Sequence, residues 1–268
     1  MASRTRRAVY RLATPLDRVL RRSKDLLLPP AHLRLYYYNS LAPEAFAQAC
    51  RNTRAELMTR GLQPQHRVLD IGSGIGNLAI GLVDYLQGGY DGVEIHPEAV
   101  AWCQHHITPR HRAFRFHRAD VESSAYNPSG RGSATMYRFP FPDRAFDFIV
   151  LASVFTHMFP EQVETYLQEI ARLLAPEGKC LASFFLLNDE TRAGVEAGQS
   201  FLSFQVNHAS GLCRLHDAAV PEAAVAIEER FVLELLGRTG LRIAEARRGS
   251  WWRGTAHDQD LLTIVLNS

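Results

Sequence analysis

Short apolar runs recur through the middle of this chain. They are Val68-Leu69-Asp70-Ile71, the segment from Gly89 to Glu94, Phe114 to Val121, Phe146 to Leu151, and Lys179 to Leu187. Runs of this length suit strands buried on both faces, and segments of helical period separate them. Leu78 to Leu86 follows the first run, and Pro97 to Gln104 follows the second, with proline where a missing N–H costs nothing. From Glu161 to Leu174, Val163, Tyr166, Leu167, Ile170, Leu173 and Leu174 fall on one face until Pro176 and Gly178 stop the helix. Strand and helix in alternation predict an α/β sheet of mostly parallel strands covered on both faces, a three-layer sandwich. The tail departs from this pattern. A helix of about Glu228 to Arg238 ends at Gly240, and Leu241–Ala246 and Asp260–Leu266 are joined too closely for a crossover helix, so they should pair antiparallel.

Two stretches carry neither period. Residues 122–138 are rich in turn formers and read as a loop or short hairpin. Residues 189–226 read as irregular, with a hairpin pairing Phe201–Val206 and Cys213–His216. The organisation expected is an arm over 1–30, a helical lid segment over 31–60 that includes a helix from Pro43 to Gly61, and one domain over 61–268 with those two insertions.

The first strand runs into Asp70-Ile71-Gly72-Ser73-Gly74-Ile75-Gly76-Asn77. Three alternate glycines permit a sharp turn and a close approach of backbone to ligand. The second strand ends at Glu94, 22 residues beyond Gly72, where a carboxylate can accept both hydroxyl protons of a ribose. A nicotinamide dehydrogenase fingerprint would place a glycine at Asn77 and would lack the acid at Asp70.

This loop, with Gly92-Val93-Glu94-Ile95-His96-Pro97-Glu98, resembles the class I S-adenosylmethionine-dependent methyltransferases over about residues 60 to 187. The resemblance implies a Rossmann-like, seven-stranded, mostly parallel sheet with an antiparallel last strand, and S-adenosylmethionine as cofactor. It implies that Asp70, Gly72, Ser73, Gly74, Gly76 and Asn77 hold the methionine end, Glu94 and Ile95 the ribose, and Asp120 with Val121 the adenine, with Ala152 also at the cofactor. Tyr36, Tyr37 and Tyr38 lie on the segment that forms a lid in the family, and are substrate candidates with Asn188, Asp189 and Trp251. Asn188 reads equally well as a helix cap, and Trp251 as a cap of the sheet. His157, beyond the fourth strand, is the candidate base, since a neutral imidazole can take a proton from the acceptor as the methyl arrives.

Charge changes the picture only at the arm. Lys and Arg number 30 against 28 Asp and Glu, so no nucleic-acid partner is expected. The stretch at the end of the fourth strand also reads Leu151-Ala152-Ser153-Val154, without the Asn/Asp-Pro-Pro-Tyr/Phe signature of nucleic-acid and protein methyltransferases. Residues 1–29 carry eight basic residues with Val9, Leu12, Leu16, Val19 and Leu20 at helical spacing, a basic amphipathic helix that either packs on its own domain or meets an anionic membrane or lipid-linked substrate. Cys50, Cys103, Cys180 and Cys213 lack paired spacing and read as reduced thiols in a cytoplasmic protein, and no metal site is expected. The expected function is methylation of a small molecule at oxygen, on a sugar, glycolipid or secondary-metabolite hydroxyl. The alternatives are transfer to nitrogen or carbon, or a cofactor-binding fold used for regulation.

Overall fold

The computed structural model describes residues 27–38, 40–254 and 258–267. The greater part of the basic arm, residues 1–26, lies outside them. In chain order the helices are α1 (Ala31–Tyr38), α2 (Pro43–Thr59), α3 (Asn77–Leu82), α4 (Pro97–His106), α5 (Pro160–Leu173), α6 (Asp189–Glu196) and α7 (Glu229–Arg238). The strands are β1 (Val68–Ile71), β2 (Tyr90–Glu94), β3 (Phe114–Arg118), β4 (Phe146–Leu151), β5 (Leu174–Phe184), β6 (Leu186–Leu187), β7 (Val206–Asn207), β8 (Cys213–Leu215), β9 (Val225–Glu228), β10 (Leu241–Arg247) and β11 (Asp260–Leu266).

The larger sheet is seven-stranded, in the order β10-β11-β5-β4-β1-β2-β3. Parallel ladders join β1 to β4, β4 to β5 and β2 to β3. The last strand, β11, runs antiparallel to both its neighbours, as its short connection requires. This is the Rossmann-like sheet with a reversed last strand. Among the described residues no helix is long and apolar enough to cross a membrane.

The chain forms two compact units. One comprises residues 27–65 and 73–118, the other 66–72 and 119–267. In the first, the buried Arg34 guanidinium donates to the carbonyls of Pro29 and Leu41, tying both ends of α1 and placing its tyrosines. Helix α3 stops at Leu82 rather than at Leu86, because the chain turns so that the Gln87 and Gly88 amides reach the Pro64 carbonyl.

In the second unit, the stripe of α5 is buried as its period predicts. Pro176 and Gly178 do not break the chain between helix and strand. Instead, β5 starts at Leu174, and its ladder with β4 shifts between Phe146↔Leu174 and Phe148↔Lys179, the extra residues being taken up as an irregularity. The insertion expected to be irregular is regular. It forms α6 and a second sheet in the order β6-β9-β8-β7. Its strands have two to four residues, too few to show a period in sequence. Of the expected hairpin, only Val206 pairs with Leu215 and Asn207 with Arg214.

A core of Phe185, Leu187, Val195, Phe204, Ala224, Ala226 and Trp251 packs in this insertion. Asp260, 1 % exposed, accepts from the Leu186 amide, the Gly249 amide and the Trp251 indole. One carboxylate at the start of the last strand thus anchors the second sheet and the Trp251 loop.

Candidate functional site

In the first unit, the loop after Gly72 is shaped by Glu94. Its Oε2 accepts from the Gly74 amide and its Oε1 from the His96 amide, each at 2.8 Å. Each carboxylate oxygen has a second lone pair for another donor. Burial pushes the Glu94 carboxyl above its usual range, and the amides of His96, Gly74 and Ile95 oppose that shift without cancelling it. Gly74 has a φ of +52°, and a Cβ there would lie 3.1 Å from the Tyr37 ring. The ring of α1 therefore lies on the loop because the loop has no side chain at that point.

Tyr36 and Tyr37 meet each other edge-on at 5.2 Å and pack against His96. Tyr38 faces Phe46. His96 caps α4 by accepting from the Ala99 amide, and burial holds its pKa below the ordinary value, so it is a neutral acceptor. The Asn77 side chain donates to Thr53 of α2. Ser73 is 2 % exposed, and its Oγ has no hydrogen-bond partner among the described residues.

In the second unit, β1 and β4 lie side by side, with Asp70 level with Val150. Their carboxyl ends flank the point where strand order reverses, which is where ligands bind in such sheets. Asp70 is buried, and Gly72 has a φ of +74° with a Cβ that would fall 2.5 Å from Val154 Cγ2. Ala152 is exposed. Ser153 takes a φ of +55°, a conformation costly for a side-chain-bearing residue. The Ser183 hydroxyl accepts its amide, and its own hydroxyl donates to Gln259. The sequence carries no sign of this strained residue. Asp120 accepts from Arg131 Nε at 2.7 Å, and its carbonyl accepts the amides of Arg131 and Gly132, so the first insertion folds back over the strand end. Val121 is buried beside it.

His157 lies in a short 3-10 turn, Phe155–His157. Its Nδ1 is 2.9 Å from the Glu222 carbonyl oxygen and its Nε2 is 3.0 Å from the Tyr126 hydroxyl. Tyr126 and Glu222 come from the two insertions and were not among the sequence candidates, because nothing local marks them. Asn188 caps α6 by accepting from the Thr191 amide, and Asp189 stands exposed in the first turn of that helix. Trp251 is 1 % exposed within the insertion core. Asn188 is thus engaged as a helix cap and Trp251 in packing, while Asp189 faces solvent. Burial pushes the thiols of Cys50 and Cys213 up to about 12 and raises that of Cys180 also, so these groups are not nucleophiles at neutral pH.

The polar groups fit a nucleoside-linked amino acid. A buried hydroxyl without a partner among the described residues stands at Ser73, and a carboxylate with spare lone pairs stands at Glu94.

Comparison with known proteins agrees. Residues 69–182 match a family model described as a methyltransferase domain. Among solved structures, the PH0226 protein of Pyrococcus horikoshii OT3 has a TM-score of 0.58 at 16 % identity, covering 88 % of this chain and 96 % of that one. Magnesium protoporphyrin IX methyltransferase of Synechocystis PCC 6803, with bound S-adenosylhomocysteine, has a TM-score of 0.54 at 17 % identity, covering 96 % and 95 %. The 1,6-didemethyltoxoflavin-N1-methyltransferase of Burkholderia thailandensis has a TM-score of 0.52 at 21 % identity, covering 83 % and 79 %. Residues 69–182 thus match a methyltransferase domain, and the glycine loop and the sheet with its reversed last strand have the fold shared by these solved structures.

Proposed function

We propose that this enzyme methylates a small-molecule acceptor at oxygen, on a hydroxyl of a sugar, glycolipid or secondary metabolite. The observation that carries the reading is His157. A carbonyl oxygen can only accept, so Nδ1 must carry hydrogen where it meets the Glu222 carbonyl, and Nε2 of the neutral ring is then a base. A hydroxyl needs such a base when methylated, since its proton is held tightly, and an amine needs it less.

Bound S-adenosylmethionine supplies an electrophilic sulfonium methyl. By the resemblance, Asp70, Gly72, Ser73, Gly74, Gly76 and Asn77 hold its methionine end, Glu94 and Ile95 its ribose, and Asp120 and Val121 its adenine, with Ala152 also at the cofactor. Ser73 Oγ and the two Glu94 oxygens are the groups whose bonding capacity supports this assignment. Tyr36 and Tyr37, packed on the loop side, are the substrate candidates that fit a lid.

The Burkholderia protein is named for methylation at nitrogen, so acceptor chemistry needs its own test. The full chain with S-adenosylmethionine is offered a panel of hydroxylated compounds and a matched panel of amines, and products are read by mass for the gain of one methylene. Products confined to hydroxylated compounds support the reading, and products confined to amines overturn it.

A further inference from the structure

We propose that Tyr126 is the residue through which His157 reaches the acceptor, and that Glu222 is the positioning residue that holds both. This rests on the oxygen-methylation reading. With Nδ1–H on the Glu222 carbonyl and Nε2 accepting from the Tyr126 hydroxyl, both ring nitrogens are in use. An acceptor hydroxyl therefore meets His157 through Tyr126 or after displacing it. The Tyr126 and His157 rings lie edge-on with centroids 5.0 Å apart, which fixes the phenol against the imidazole.

Glu222 acts at two atoms. Its carbonyl sets the His157 tautomer, while its Oε2 accepts from Ser123 Oγ at 3.1 Å, Ser124 Oγ at 2.8 Å and the Ser124 amide. Ser124 stands two residues before Tyr126. A carboxylate only 7 % exposed thus ties the segment bearing Tyr126 to the turn that orients His157. Such a charge is costly to bury unless several donors satisfy it, and here they come from one short segment.

In the step this arrangement allows, the acceptor oxygen forms a bond to the methyl, and the sulfur–methyl bond pair returns to sulfur, which becomes a neutral thioether. The acceptor proton moves to Tyr126 Oη as the phenol proton moves to His157 Nε2. The imidazolium then carries hydrogen on both nitrogens and yields one to solvent. No further reactant is needed.

The test uses the full chain labelled with nitrogen-15 at histidine, with S-adenosylhomocysteine present. The His157 ring shifts should show hydrogen on Nδ1 and none on Nε2. Tyr126→Phe should move the Nε2 resonance while Nδ1 stays protonated. Glu222→Ala keeps the main-chain carbonyl but cuts the tie to Ser123 and Ser124 that holds it against His157, so it should mix the tautomers, and Glu222→Gln, which keeps an acceptor oxygen for the Ser124 amide, should restore the single one. A wild-type His157 with hydrogen on Nε2, or an Nε2 resonance indifferent to Tyr126→Phe, overturns the proposal.

In turnover of an acceptor found by the panel, Tyr126→Phe and His157→Gln should each lower kcat about 100-fold, with the KM for S-adenosylmethionine unchanged. Undiminished kcat in Tyr126→Phe beside a slow His157→Gln overturns the relay and leaves the oxygen reading standing. Undiminished kcat in both overturns the oxygen reading itself. Retained binding of S-adenosylhomocysteine shows in each case that the variant is folded.

Discussion

Around the glycine loop, the hydrogen bonds that shape the site join residues near one another in the chain. Glu94 reaches Gly74, 20 residues away, and His96, two residues away. Around His157 the corresponding bonds span 31 residues to Tyr126 and 65 to the Glu222 carbonyl, while the Glu222 carboxylate reaches 98 residues back to Ser124. The first region is a backbone device in which spacing and glycine do the work. The second is assembled only after two insertions have folded against each other, each long loop closing at an entropic cost that grows slowly with its length. On the roles proposed above, donor binding and acceptor chemistry are built by different means, and they should fail separately.

The largest effect is expected where the second region is anchored. Asp260→Ala leaves three buried donors without their acceptor and should destabilise the protein by about 3–5 kcal/mol, read as a drop in thermal midpoint. A midpoint at the wild-type value would show that the insertion sheet stands without that anchor.

The loop itself is challenged by Gly72→Ala. A Cβ at a φ of +74°, placed 2.5 Å from Val154, should cost about 2–3 kcal/mol in chemical unfolding and weaken S-adenosylhomocysteine binding. Wild-type behaviour would mean that the turn tolerates a side chain.

Proton linkage gives a smaller signal, confined to the donor side. Burial raises the Glu94 pKa, so the ligand-free protein retains a proton there above the usual glutamate value of 4.5. Ribose hydroxyls bond the ionised form and draw the pKa down. Binding should therefore release a proton at pH values between the ordinary glutamate value and the raised one, and affinity should rise with pH through that window. Calorimetry in two buffers of different ionisation enthalpy measures the release, and Glu94→Gln should abolish it. By the same linkage, ligand-free stability should fall as pH rises from the ordinary glutamate value toward the raised one, because the native state holds the extra proton.

Ser73→Ala is the mildest change, removing one buried hydroxyl that lacks a protein partner. It should weaken S-adenosylhomocysteine by roughly 3–10-fold, with stability unchanged or slightly improved. Unaltered affinity would remove Ser73 from the cofactor contacts.

The same contrast explains what could be read from the residues alone. The parallel strands, the stripe of α5 and the reversed β11 were legible because each rests on a period or a connection length visible within a few residues. The glycine loop and Glu94 were legible because their spacing is short and their chemistry specific. The second sheet was not, since strands as short as Leu186–Leu187 and Val206–Asn207 have no room for a pattern. Tyr126 and Glu222 were hidden for a related reason, because a tyrosine in a turn-rich segment and a glutamate after Pro221 acquire meaning only through partners far away in the chain. Trp251 was visible as a large aromatic, but its partner Asp260 reads in sequence only as the start of a strand.

The most direct test is calorimetry of S-adenosylhomocysteine binding to the full chain in two variants, Glu94→Ala and His157→Ala. The account predicts that Glu94→Ala weakens binding by about 100-fold or more, from the loss of a charged acceptor and of the support it gives the Gly74 and His96 amides. It predicts that His157→Ala binds within about 3-fold of wild type, an ordinary limit for a group outside the ligand's contacts. Equal affinity in the Glu94 variant and wild type, or a loss in the His157 variant as large as that in the Glu94 variant, would contradict the separation of donor and acceptor regions.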